Sequence, residues 1–164
     1  MKEIKLMIDG KEVALTKEQI KALGIDVDDG CVCDMVKEET NFWYADEFGI
    51  VRKDTEEGYR WTRKLYDIGN YYRDESYAKQ VALHQKLNNL LRRFSEQHGG
   101  DCEWDVEHNH FPIGFDFEEK KFYVGSFIRS KQCGVVYFGS RIAAENAIEE
   151  VVKPFMEEHP EFVW

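Results

Sequence analysis

With 164 residues, 43% of them apolar and a third charged, the chain can bury a core of its own without disulfide or metal staples, and it is too hydrophobic to stay disordered. Its net charge of −10 sets up a field that repels duplex DNA at long range and attracts basic surfaces. The opening MKEIKLMIDG carries charges every two or three residues and no apolar run, so neither a secretory leader nor a membrane span is expected there, and four cysteines are too few for a disulfide scaffold.

These features predict a cytoplasmic chain with free thiols, folded as one compact domain or one domain with a small appendage. The charge is uneven. Residues 1–24 carry +1, 25–57 carry −8, 58–98 carry +4 and 99–164 carry −7, so two acidic stretches flank a basic island.

In chain order, Ile4, Leu6 and Ile8 alternate with polar or flexible neighbours, Asp9-Gly10 supplies a two-residue turn, and Val13 and Leu15 return on a second strand. A helix follows, opened by a Thr16/Gln19 capping box, striped by Ile20 and Leu23 and closed by Gly24. Residues 1–24 therefore read as a ββα unit. Residues 25–40 show no sustained period and six acidic side chains, the pattern of a linker.

From Asn41 the chain runs twice through strands and then a helix, in units 41–100 and 101–164. In the first pass NFWYADEFGIVRKD predicts two strands about a turn at Asp46 to Gly49, and YRWTRKLY predicts a third by its alternation. A helix is expected from Asp74 to His98, with Ala78, Val81, Leu87, Leu90, Leu91 and Phe94 on one side and Gly99-Gly100 at its end. In the second pass IGFDF, KFYVGSFI and VVYF are strands. A helix from Arg141 then presents Ala144, Ala147, Ile148, Val151 and Val152 until Pro154 ends or kinks it.

The two passes share an aromatic, a capping residue and a small residue at an offset of 66: Tyr72, Asp74 and Ala78 against Phe138, Ser140 and Ala144. The expected fold class is α+β: antiparallel sheets with helices packed on one face, an N-terminal ββα unit preceding two β-β-β-α passes.

The basic island allows two readings. As a strand, residues 59–66 put Trp61 and Leu65 in the core and leave Arg60 and Lys64 in solvent with no further duty. Alternatively Arg60 and Lys64 join Arg73, Lys79, Lys86, Arg92 and Arg93 in one positive face beside aromatic rings, a nucleic-acid contact.

Cys102, His108, His110 and Cys133 are the strongest metal candidates, but their spacing matches no finger or ribbon, and Cys31-Val-Cys33 is too tight to clasp one metal unaided. The expectation is no metal and no cofactor. No phosphate-cradling loop, nucleophile elbow or metalloprotease helix occurs, and the expectation is not an enzyme. Aromatic side chains at 42–44 and 162–164 serve the core or a contact, and the tail Phe162-Val163-Trp164 either folds back on the sheet or docks on a partner or second copy.

The stretches IKLMIDGKEVALTKEQIKALGI, FWYADEFGIV, GNYYRDESYA and VYFGSRIAAENAIEE resemble small accessory proteins of bacteriophages and prophages of Gram-positive bacteria, over nearly the whole chain. In that class a Gly-Asn-aromatic step, an acidic-alanine helix and a similar C-terminal junction recur; here RDESYAKQ is less acidic than the pattern. The class includes inhibitors of bacterial immunity, anti-CRISPR proteins among them, and it lends no catalytic residues.

The resemblance implies a phage protein in the host cytoplasm that inhibits a host defence protein by binding, with a CRISPR effector nuclease as the expected target. Charge supplies the physical reason, because such effectors hold nucleic acid in Lys/Arg-lined channels that a rigid acidic body can occupy. The candidate contacts are Asp26, Asp28, Asp29, Asp34, Glu38 and Glu39 in the linker and Glu118 and Glu119 at a turn. Alternative readings are a nucleic-acid-binding accessory protein using Arg60, Lys64, Arg73, Arg92 and Arg93, or a protein that sequesters a nucleotide signal between two copies. No membrane contact is expected, and a homo-oligomer is compatible with every reading.

Overall fold

In a computed structural model of the protein, the described residues are 5–8, 11–14, 35–100, 104 and 106–164. They form an α+β fold with antiparallel sheets. Strands β1 (Lys5–Ile8) and β2 (Lys11–Ala14) pair with Ile8 opposite Lys11, the register expected for a hairpin about residues 9 and 10. The helix expected over 16–24 and the linker up to residue 34 lie outside the described residues.

The first unit opens with β3 (Asn41–Ala45) and β4 (Val51–Thr55), paired antiparallel about the expected turn. The stretch read as its third strand is instead a helix, α1 (Arg60–Asp67). The residues explain this. At helical spacing Trp61 and Leu65, and Thr62 and Tyr66, fall on one side, whereas Arg60, Arg63, Lys64 and Asp67 fall on the other. Thr62 is fully buried, and Arg63 reaches Asp67 one turn on at 3.1 Å.

Gly58, with φ +72, turns the chain into α1. Gly69, with φ +74, ends it: the Gly69 N–H bonds the Tyr66 carbonyl at 2.9 Å and the Asn70 N–H bonds the Leu65 carbonyl at 2.8 Å, the paired closure that a left-handed glycine permits. The strand expected at 59–66 is replaced by a two-bond bridge further on, where Tyr72 exchanges N–H···O bonds of 2.8 Å with Trp43. The first pass is therefore β-β-α-α with a one-residue bridge, and not β-β-β-α.

Helix α2 (Glu75–Gln97) follows, capped by the Asp74 carboxyl on the Tyr77 N–H. Its packed residues agree with the expected face, and Gly100 N–H closes it on the Ser95 carbonyl at 2.7 Å. The second unit contains β5 (Phe111–Asp116), β6 (Lys121–Val124) and β7 (Tyr137–Phe138) in the order β6-β5-β7, then α3 (Arg141–Ala147), capped by Ser140 on the Ala143 N–H.

Pro154 does not stop the helical run. A wide turn at Ile148–Val152, closed by the Lys153 N–H on the Ile148 carbonyl, precedes α4 (Lys153–Glu158) and makes room for a residue that has no N–H and whose ring crowds the preceding turn. Helix α2 packs against β3 and β4 of the first unit and against β7 and α3 of the second. Tyr72, Ala78, Phe138 and Ala144 are all buried, so both strand-to-helix junctions place the aromatic, the cap and the small residue in the same local roles.

The larger core joins Leu87, Leu91 and Phe94 of α2 to Phe138, Ala144, Ala147, Val152 and Phe155. The tail folds back onto it: Phe162 is buried, Trp164 meets Phe122 edge-on at 5.0 Å, and the Gln80 side chain donates to the Glu161 carbonyl at 2.6 Å and accepts from the Val163 N–H at 3.0 Å.

The first unit has a smaller, aromatic core built around a polar centre. Phe42 stacks on Tyr71 at 4.4 Å, with Trp61 6.0 Å away. Behind them lies Glu56, only 2% exposed. Its Oε1 accepts from the Gly58 N–H at 2.8 Å, and its Oε2 accepts from the Tyr71 hydroxyl at 2.8 Å. The Thr62 hydroxyl lies 2.8 Å from Oε1 and 2.7 Å from the Tyr59 carbonyl oxygen, sharing its one proton between them.

Burial, followed by the bond to Glu56, raises the Tyr71 phenol well above its ordinary value, against a smaller opposing effect of the Val36 N–H. A folded-state pKa above the unfolded one contributes stability that is complete below about pH 10 and lost as pH rises beyond it. We expect the denaturation midpoint to fall from about pH 10 upwards and Tyr71→Phe to flatten that fall. Urea titrations between pH 8 and pH 11 check this, and equal slopes for the two proteins would refute it.

Candidate functional site

The acidic candidates divide by location. Asp26, Asp28, Asp29 and Asp34 lie outside the described residues. Glu38 and Glu39 are exposed, but residues 35–40, the end of the expected linker, are fastened to the first unit. The Val36 N–H bonds the Tyr71 hydroxyl at 3.3 Å, and the Glu39 N–H bonds the Glu56 carbonyl at 2.8 Å. Glu39 adopts φ +64, a left-handed conformation tolerated at a turn closed by the Thr40 N–H on the Lys37 carbonyl at 3.2 Å.

Glu118 and Glu119 stand at the tip of the β5–β6 hairpin, where the Asp116 Oδ1 accepts both of their N–H groups at 2.9 Å. Glu119 is partly neutralised by an ion pair with Lys121. Beside them Phe117 is 67% exposed.

The β3–β4 tip is built alike. Asp46 Oδ1 accepts from the Phe48 N–H at 3.0 Å and the Ile50 N–H at 2.9 Å, while Oδ2 meets Arg52 at 2.8 Å. Desolvation pushes the Asp46 carboxyl up, but the Ile50 N–H, Arg52 and the Phe48 N–H together outweigh it and lower its pKa. Phe48, held out by this turn, is 79% exposed. Each tip therefore carries an aspartate-clamped turn with one outward phenylalanine and at least one glutamate.

A further acidic surface among the described residues was not among the sequence candidates. Along α3, the wide turn, α4 and the following residues, Glu145, Glu149, Glu150, Glu157, Glu158 and Glu161 are all exposed, with Arg141 at the start of α3 and Lys153 the two basic side chains of Lys or Arg type in that span. Lys153 is held by Glu149 at 2.6 Å, and Lys86 of α2 reaches Glu158 at 3.7 Å. The signal was present in the spacing of Glu145, Glu149 and Glu157 opposite the apolar stripe of the same helix.

The five basic candidates do not form one patch. Arg60 and Lys64 are exposed one turn apart on α1. Arg73 lies half-buried in the connection before α2. Arg92 and Arg93 sit on α2 17 and 18 residues beyond its first residue, Glu75, roughly 26 Å along the axis. Arg92 borders a cleft with Lys131, while Arg93 borders a groove with Glu150 and Glu158.

Of the metal candidates, Cys102 lies outside the described residues, His108 is exposed, and His110 is buried with its ring stacked on Trp104 at 3.7 Å. Cys133 is an exposed free thiol. Among the described residues no three His, Cys, Asp or Glu side chains come together as ligands, and no helix is long and apolar enough to cross a membrane. No protein-family model, curated protein or solved structure matches the chain.

Proposed function

We propose that the protein acts by binding, presenting an acidic surface to a basic partner, and that this partner is a host defence protein, with a CRISPR effector nuclease as the first target to test. One observation carries the reading: five exposed glutamates along the helical run from Arg141 to Glu158 and a sixth, Glu161, just beyond it, against two basic side chains of Lys or Arg type, Arg141 and Lys153. Such a ridge holds its charges at fixed positions, so a partner lined with Lys and Arg gains attraction without ordering a flexible chain. The two hairpin tips each add an exposed phenylalanine next to a glutamate of the same turn. The target class comes from the resemblance to phage accessory proteins.

The test is target-DNA cleavage by a purified effector–guide complex with increasing amounts of this protein, beside a variant carrying Glu145→Lys, Glu149→Lys, Glu157→Lys and Glu161→Lys. The wild type is expected to inhibit in a salt-sensitive manner, and the variant to inhibit about tenfold or more weakly, because reversed charges slow encounter and repel the basic surface. Equal inhibition by both proteins removes the ridge from the contact. Absence of both inhibition and co-elution with the effector retires the nuclease as partner.

A further inference from the structure

A cavity of about 210 Å³ lies where α2 meets the second unit, bounded by β5, β7, the segment 134–136 and the tail. Its inner wall belongs to the larger core: Leu87 and Leu91 of α2 and Phe138 of β7 are each at most 4% exposed. Val135 and Val136 extend the apolar lining, and Phe162 and Trp164 close it from the tail. Close-packed interiors seldom leave such space, and an apolar cavity of about 150 Å³ already takes up benzene. This one has room for a ring fused to a second.

The lining also selects charge and shape. A third of the residues in the chain are charged, yet among the described residues no Asp, Glu, Lys or Arg lines the cavity, so an ion entering it would lose water and gain no partner. A neutral ligand is required. The rings in the wall present both edges and faces: Phe162 and Trp164 meet edge-on at 6.3 Å, and the His84 ring stands 4.7 Å from Phe162. Such walls suit an aromatic guest.

Polar side chains occur on one side only. His84 and Asn88, one turn apart on α2, are exposed and half-buried, so they mark the mouth and not the floor. Among the described residues the Asn88 amide has no hydrogen-bond partner, which leaves its carbonyl oxygen open to a donor on the guest. The tail wall is already in place, since the Gln80 side chain bonds the backbone of both Glu161 and Val163.

We infer that this cavity binds a neutral bicyclic aromatic molecule with a ring N–H, of the indole class, its rings enclosed by Leu87, Leu91, Val136 and the tail and its N–H donating to the Asn88 carbonyl. The site uses none of the carboxylates of the acidic ridge, so it stands or falls separately from the proposed partner contact.

The experiment titrates the full chain by calorimetry with indole and with benzofuran, which has the same shape but an oxygen in place of the N–H, and follows the thermal midpoint with each. Indole is expected to bind with a dissociation constant of about 1 mM or lower and to raise the midpoint, and benzofuran to bind about fivefold more weakly for want of the donated bond. Val136→Phe, which puts a ring into the space from a half-buried position, is expected to weaken indole binding about tenfold or more. Asn88→Leu is expected to keep benzofuran binding and to abolish the preference for indole, a readout that a loss of folding would not mimic. No indole binding by the wild type at about 1 mM, equal binding of indole and benzofuran, unchanged indole affinity in Val136→Phe, or an undiminished preference for indole in Asn88→Leu would each overturn the inference.

Discussion

Replacing Glu56 by Ala is expected to destabilise the protein by about 3–5 kcal/mol, a large share of the stability of an ordinary domain. The carboxyl is 2% exposed and is the acceptor for the Gly58 N–H, the Tyr71 hydroxyl and, in part, the Thr62 hydroxyl. Truncation leaves these groups facing a void that is too enclosed to rehydrate freely, and each unsatisfied buried donor costs about 1–3 kcal/mol. Three segments loosen together, because Gly58 starts α1, Thr62 lies within it and Tyr71 holds residue 36 at the end of the expected linker. Glu56→Gln keeps one acceptor oxygen and nearly the same volume, so about 1–2 kcal/mol is expected, chiefly from the donor left without a partner. Urea denaturation of the three proteins checks both values. A Glu56→Ala variant within 1 kcal/mol of wild type would show that water or a rearranged backbone replaces the carboxyl.

Glu56 also illustrates what the sequence could not disclose. With 32 carboxylates in the chain, nothing local marks Glu56 as a buried one, since its partners come from positions 58, 62 and 71 and meet only after α1 has folded. What was legible was local. Asp74 and Ser140 were readable as caps and Gly99-Gly100 as a stop, because caps and stops depend on a few consecutive residues. The turn at Asp46 to Gly49 was readable for the same reason.

The reading of residues 59–66 went wrong where two periods compete. Trp61 and Leu65, four apart, fit a strand face and a helix face equally, but Thr62 and Tyr66 belong with them only in a helix. The burial of Thr62 against Glu56, which settles the matter, is a tertiary fact.

The candidate surface was legible in charge and not in shape. Runs of Asp and Glu in the linker drew attention because they are contiguous in sequence, whereas the ridge on α3 and α4 is contiguous only when the chain is wound, its glutamates separated by buried Ala147, Ile148, Val152 and Phe155. The island of positive charge behaved in the opposite way. Contiguous in sequence, it is distributed over α1, a connection and the far part of α2, so its members border different surfaces.

Phe138→Ala is expected to cost about 3–5 kcal/mol, the usual range for removing a fully buried phenylalanine. Phe138 is 1% exposed, pairs with Phe111 at the edge of the three-stranded sheet and joins the core that holds α2 against α3 and α4. Its neighbours are poorly placed to collapse into the space. Gly139 beside it is already so close to the backbone that an added Cβ would stand 2.6 Å from the Gly100 carbonyl oxygen, and Ala144 and Ala147 have no side-chain length to lend. Because α2 also packs on β3 and β4, loss of its seat in the second unit should propagate to the first. The two units are therefore expected to unfold together, with fluorescence of Trp61 and of Trp164 reporting one transition in single-tryptophan backgrounds. A Phe138→Ala protein in which Trp164 melts early while Trp61 keeps its wild-type midpoint would mean that α2 is anchored in each unit independently.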